Sequence, residues 1–294
     1  MKDFNFINRR KRWYTISLII IGLGILSLLF QGLNLGIDFV GGTVIEYGFP
    51  AEVTEIDATT EDIHEILKKF NVDESSKVVR THDPEGFFIK TVEMQPAKIQ
   101  DITDAIQADY PEIEQLKVEQ VGPTIGKELR WKALLAILVA SIAIIAYISF
   151  RFEFKYAMAA IVALLHDVAI VVGLFSIFQF ELNTPFIAAA LTIVGYSIND
   201  TIVIFDKVRE NVKFMQKSTL AEVANKAILE TLPRSINTSL TTMLTVLAIL
   251  IFGGTSIKVF MTALLFGVLA GTYSSIFVAA PLLVTWKNKI ANNE

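Results

Sequence analysis

Six apolar stretches, each about 20 residues long and so able to cross roughly 30 Å of hydrocarbon, dominate the 294-residue chain and leave it few folds to choose from. They fall at 13–31, 131–150, 156–178, 184–206, 235–253 and 259–286. Backbone polar groups facing lipid must be satisfied within the segment itself, so the expectation is an α-helical polytopic membrane protein with six spans. The first stretch is too long for a signal peptide and lacks a small-residue cleavage pattern, which makes it a retained anchor. Cysteine is absent, so disulfides and thiolate metal sites are excluded.

Basic residues orient the spans. Lys2, Arg9, Arg10, Lys11 and Arg12 precede the first, Arg151 and Lys155 separate the second and third, Lys207, Arg209 and Lys213 follow the fourth, and Lys287 and Lys289 follow the sixth. By the positive-inside rule these sites are cytoplasmic. Residues 1–12 are then a basic cytoplasmic N-terminus and 287–294 a cytoplasmic tail. The acidic segment 32–130 lies on the other side of the membrane. Nothing in the charge pattern supports nucleic-acid binding.

Within 32–130 the pattern predicts β-α-β-β-α-β, a ferredoxin-like α+β domain. Strands are expected at 43–49, 77–82, 86–92 and 116–121. Ile63, Ile66, Leu67 and Phe70 put one apolar face on the first helix, and Ile99, Ile102 and Ile106 put one on the second, which opens at Pro96. His82-Asp83-Pro84-Glu85-Gly86 has turn chemistry. His64 and His82 lie among carboxylates but without metal-ligand spacing, so no metal and no cofactor are expected. An exposed sheet edge offers weak contact to unfolded polypeptide.

Ionisable groups inside spans are costly and mark functional paths. The third span carries His166 and Asp167. The fourth carries Tyr196, Ser197, Asn199 and Asp200, with Asp200 about 7 Å from the midplane at 1.5 Å per residue. Tyr196, Ser197 and Asp200 share a helical face. Arg234 opens the fifth span, followed by Asn237, Thr238 and Thr241, and its side chain is long enough to reach toward Asp200. A carboxylate that alternates between pairing with a guanidinium and binding a proton is a minimal proton-coupling device, so Asp200, Arg234, Asn199 and Asn237 form the expected proton path. Asp167 with His166 reads either as a second relay or as a satisfied interhelical hydrogen bond. Residues 207–234 contain a capping box, Thr219 to Glu222, and an apolar stripe of Leu220, Val223, Ala224, Ala227 and Ile228, expected to lie as an amphipathic helix on the membrane surface. In the sixth span Gly267, Ala270, Gly271, Ser274 and Ser275 read as small residues for close packing.

Three segments carry a family resemblance. Leu35-Gly36-Ile37-Asp38-Phe39-Val40-Gly41-Gly42 resembles the signature that follows the first span in the SecD/SecF family. The run from Gly195-Tyr196-Ser197-Ile198-Asn199-Asp200 to Asn211 resembles the fourth-span motif of its SecF branch, and Thr231 to Ser239 is similar to the segment opening the fifth span. The resemblance implies the resistance-nodulation-division superfamily, a bacterial inner-membrane location, and a complex that uses the proton gradient to assist Sec-dependent export. It assigns proton-path roles to Asp200 and Arg234. The partners it implies are a SecD half, the SecYEG channel, the SecA motor, YajC and YidC, the translocating polypeptide and membrane lipid. The resemblance implies no enzymatic activity.

Two other readings compete. A proton-coupled exporter of small molecules or lipids in the same superfamily would share the acid and the arginine, although its outer domains are usually larger. An intramembrane aspartyl protease would use Asp167 and Asp200 as a dyad; the absence of Gly-x-Gly-Asp and His-Glu-x-x-His motifs disfavours it.

Overall fold

A computed structural model describes residues 4–50, 53, 58–82, 85–151 and 153–291. The chain divides into two compact units, Met1–Asn34 with Leu135–Glu294, and Leu35–Leu134.

The smaller unit is the expected β-α-β-β-α-β domain. A four-residue helix α2 (Ile37–Val40) leads into β1 (Gly42–Gly48), α3 (Thr60–Lys69), β2 (Lys77–His82), β3 (Glu85–Thr91), α4 (Pro96–Asp109) and β4 (Glu114–Val121). The sheet order is β2-β3-β1-β4, with every pair antiparallel. Asp83 and Pro84 of the expected turn lie outside the described residues, as does the side chain of His82. Ile63, Ile66 and Leu67 of α3 and Ile99, Ile102 and Ile106 of α4 pack on Ile45, Tyr47, Phe87 and Ile89 of the sheet, with Phe70 half-buried at their edge. The two helical apolar faces therefore meet one sheet face. Thr59 and Asp62 form a reciprocal capping box at the start of α3.

Tyr47 sits in this core with its hydroxyl 2.8 Å from Thr103 Oγ1. Burial pushes its phenol up to about 12.

The glycine pair after α2 has a specific task. Gly41 adopts φ +82°, and a Cβ there would come within 2.9 Å of Pro123 Cα. Gly42 adopts φ +140°, and a Cβ there would lie 2.6 Å from the Thr91 carbonyl. Such positive-φ positions favour glycine. Gly36 caps α2 by accepting from Phe39 N, Asp38 lies in its first turn, and Arg130 donates to the Phe39 carbonyl at 2.6 Å. The motif thus clasps the domain's entry to the first turns of its exit helix.

The larger unit is helical: α1 (Arg10–Phe30), the later part of α5 (Pro123–Arg151), α6 (Phe154–Ile177), α7 (Thr184–Phe214), α8 (Leu220–Phe252), α9 (Thr255–Ser274), a π-helical turn (Ser275–Ala279) and α10 (Ala280–Ala291). Among the described residues six segments are long and apolar enough to cross a membrane: α1, α5, α6, α7, α8 and Ile257–Trp286. The protein is therefore a multi-pass membrane protein. Helices α6, α7 and α9 pack together at the centre, with α1 against α6 and α8 against α7 and α9. Helix α5 stands apart, since only Ile148 is buried within 131–151.

Two close helix approaches shape the bundle. Gly24 on α1 and Gly173 on α6 meet backbone to backbone, a Cβ on either being 2.9 Å from the other's Cα. One turn further on, Ser27 and Ser176 hydroxyls lie 2.7 Å apart. Gly271 on α9 faces Ser197 just as closely.

The segment 220–234 is not a separate surface helix. Helix α8 runs unbroken from its Thr219 cap through Pro233 to Phe252. Its stripe of Val223, Ala224, Ala227 and Ile228 is buried against Phe205 and Val208 of α7 and Leu283 and Val284 of α10. Proline removes one intrahelical bond, but packing on both sides of Pro233 keeps the helix continuous. Near its start, Asn225 accepts from Phe6 N at 2.8 Å and donates to the Phe4 carbonyl, gripping the N-terminal segment.

Candidate functional site

Among the described residues, two carboxylates are buried inside the helical bundle. Asp200 on α7 is 9% exposed and Asp167 on α6 is fully buried. A carboxylate removed from water must be matched by hydrogen bonds, because an uncompensated buried polar group costs far more than a bond contributes. Serine hydroxyls supply most of those bonds. Asp200 accepts from Ser235 Oγ of α8 at 2.6 Å and from Ser275 Oγ at 2.7 Å. Asp167 accepts from Ser197 Oγ of α7 at 2.5 Å and from Ser274 Oγ at 2.7 Å.

The consecutive residues Ser274 and Ser275 thus serve different acids. In an ordinary α-helix neighbouring side chains diverge by about 100°. Here the backbone widens into a π turn from Ser275 to Ala279, the local irregularity that recurs at functional positions in helices. Both serines are fully buried. The sixth-span serines read as packing residues are instead the link between the two acids, while Gly267 and Gly271 do provide close packing, against Ile193 and Ser197.

From Asp167 a further chain of polar groups runs toward α1. His166 Nδ1 is 2.9 Å from Asp167 Oδ1, and His166 Nε2 is 2.9 Å from Ser17 Oγ. Ser17 donates to the Tyr273 hydroxyl at 3.3 Å, and Tyr273 donates to the Trp13 carbonyl at 3.0 Å. The His166 and Tyr273 rings stack at 5.9 Å. Ser17 and Tyr273 had no signature in the sequence, because an isolated serine in a span is ordinary and the partner is 256 residues away.

Not every expected member comes to the acids. Arg234 neighbours Ser235 on α8 but faces outward and is exposed, as are Asn199 and Asn237. Among the described residues no ion pair joins Arg234 to Asp200; Ser235 occupies the facing position instead. One residue along a helix turns the side chain by about 100°, so the two cannot both face α7. Tyr196 is half-buried with its hydroxyl 3.5 Å from Ser239 Oγ, which is itself 2.5 Å from Thr272 Oγ1. Gly195 faces open space. His64, in the smaller unit, bonds Asp73. Among the described residues no group of three or more metal-ligating side chains is gathered.

Comparison with known proteins places this arrangement. Residues 101–289 match the family described as protein export membrane protein SecD/SecF, C-terminal, and residues 26–49 match the SecD/SecF GG motif. A protein translocase subunit SecF from Sebaldella termitidis is 39% identical over 96% of this chain and 91% of its own length. Protein translocase subunit SecDF from Bacillus subtilis is 40% identical over 98% of this chain, which spans 39% of that relative. The crystal structure of SecDF, a translocon-associated membrane protein from Thermus thermophilus, superposes with a TM-score of 0.86 at 36% identity, covering 97% of this chain and 39% of the other.

Proposed function

The chain belongs to the SecD/SecF family of protein-export membrane proteins, and on that premise we propose that it is the SecF half of a SecD–SecF pair in which proton exchange at Asp200 assists protein translocation. The observation that carries the proton role is the setting of Asp200: a carboxylate on a membrane-spanning helix, held by two neutral hydroxyls and no cation among the described residues. Hydroxyls can donate to a carboxylate and also accept from a carboxylic acid. The cage therefore accommodates both protonation states, as a fixed arginine would not.

Arg234, Asn199 and Asn237 take a different part from the one read in the sequence. All three are exposed on the spans of this chain, where lipid contact would be expensive, so they face a second protein. The fused SecDF relatives, of which this chain matches 39%, indicate a SecD half as that protein. Around this pair stand the SecYEG channel, the SecA motor, YajC and YidC, in the bacterial inner membrane with both termini cytoplasmic and the small domain outside. One proton falling through about 100 mV releases about 2.3 kcal/mol, enough to bias a two-state equilibrium roughly fiftyfold.

An exporter of small molecules is disfavoured by the translocase identity of close relatives. A protease dyad is disfavoured because Asp167 and Asp200 are held by separate sets of hydroxyls. The test is export of a secreted reporter by vesicles holding the complete complex, with and without an imposed proton gradient. Asp200→Asn should assemble with its partner and lose the response to the gradient. A variant that assembles and responds fully would reduce Asp200 to a structural acid.

A further inference from the structure

The hydrogen-bond directions around His166 fix a proton count. Tyr273 has one hydroxyl proton and gives it to the Trp13 carbonyl, so Ser17 must give its own proton to the Tyr273 oxygen. With that proton committed, Ser17 can only accept from His166, and Nε2 must carry a hydrogen. The remaining ring nitrogen, Nδ1, lies 2.9 Å from an oxygen of Asp167. Two acceptors cannot share a contact of that length inside a fully buried site, so one more proton lies between Nδ1 and Oδ1. The pair is either imidazolium with carboxylate or neutral imidazole with carboxylic acid.

From this we infer that His166 and Asp167 form a second protonation site, whose proton operates a latch between α1 and α9. In the imidazolium description, release takes the proton from Nε2 to a water molecule, leaving Nδ1–H bonded to the Asp167 carboxylate. Bare Nε2 is then an acceptor, so Ser17 turns to donate to it. Tyr273 turns to donate to Ser17, and its bond to the Trp13 carbonyl is lost. That carbonyl lies inside helix α1 and retains its intrahelical partner, so the switch leaves no buried group orphaned. Ser17, Tyr14 and His166 border an open, mostly apolar groove between α1, α6 and the last span, and the water would approach Nε2 from it.

Few other titratable groups face the pair. On α1 there is Tyr14, with Arg10 beyond it. On α9 there is Tyr273, and on α7, reached through Ser275, Asp200. Because Tyr273, Ser274 and Ser275 are consecutive, a movement of α9 at the latch is delivered directly to both acids. The site deepens the proton-coupled reading and rests on it for its purpose, though not for its chemistry.

The experiment is pH-difference infrared spectroscopy on the purified SecD–SecF pair in lipid nanodiscs. Histidine ring bands and the tyrosine C–O band should titrate together with one midpoint. Tyr273→Phe should remove the tyrosine band and move the histidine midpoint. His166→Gln keeps hydrogen-bonding capacity without titration, and the tyrosine band and the histidine component that moves with it should vanish, leaving only what the other two histidines contribute. Asp200→Asn should leave the coupled signal in place even if it changes export, so failure here is distinguishable from failure of the Asp200 assignment. Should His166→Gln not assemble, Ser17→Ala serves: it cuts His166 from Tyr273, and the two bands should cease to move together. If no tyrosine band titrates with a histidine component in the unaltered protein, or if His166→Gln leaves that coupled component in place, the proposal is overturned.

Discussion

Placing one methyl group on Gly24 tests how the bundle holds its polar chain together. A Cβ there would lie 2.9 Å from Gly173 Cα, whereas carbon atoms pack at about 3.5–4.0 Å, so α1 must retreat from α6 by roughly 0.6–1.1 Å. Hydrogen bonds tolerate little such stretching. The Ser27–Ser176 contact of 2.7 Å and the His166–Ser17 contact of 2.9 Å, on either side of the crossing, would both be strained. Overpacking of this size costs about 1–3 kcal/mol. Gly22 provides the control, because a Cβ there meets nothing within 4 Å and replacing glycine by alanine in an open helical position gains up to about 1 kcal/mol. Reversible unfolding of the purified chain in mixed micelles should therefore show Gly24→Ala less stable and Gly22→Ala equal to or more stable than the unaltered protein. Gly173→Ala should repeat the Gly24→Ala loss, and the double variant should lose less than the sum. Equal stability of the Gly24 and Gly22 variants would refute the close crossing.

Two further expectations concern the acid cage and the smaller unit. Because Arg234 does not touch Asp200, the stability changes of Asp200→Asn and Arg234→Ala should add within about 0.3–0.5 kcal/mol in a double-mutant cycle; a larger coupling would restore the direct pair. Tyr47 is held neutral by burial, its folded value of about 12 lying above the ordinary 10.0. Its contribution to stability is thus complete below pH 10.0 and disappears as pH rises through about 12. Tyr47→Phe should abolish that alkaline loss in the hydrogen-exchange protection of β1, and an unchanged alkaline profile would contradict the assignment.

Elements that follow local rules were readable from the sequence. The spans follow from length and hydropathy, the α3 and α4 faces from helical spacing, and the Thr219 cap from its partner three residues on. Asp200 stood out because charge is rare in a span. What could not be read was set by register and by distant partners. Ser274 and Ser275 looked like packing residues because an ordinary helix would point only one of them at an acid; the π turn that lets both serve is a backbone event without a residue signature. Arg234 was drawn toward Asp200 by reach alone, and the neighbouring Ser235 won the facing position by rotation. Residues 220–234 read as a separate surface helix because their amphipathic stripe is local, whereas the packing that joins them to the fifth span comes from α7 and α10.

The continuity of α8 has a mechanical consequence. Its 33 residues make a rod about 50 Å long at 1.5 Å per residue, and Ser235, its contact with Asp200, lies close to the middle. A rod seated at its centre is a lever with equal arms. A tilt of about 5° about Ser235 sweeps each end by about 2 Å, in opposite directions. One end grips the N-terminal segment through Asn225. Torque applied at the Asp200 fulcrum therefore reaches both ends of the rod together.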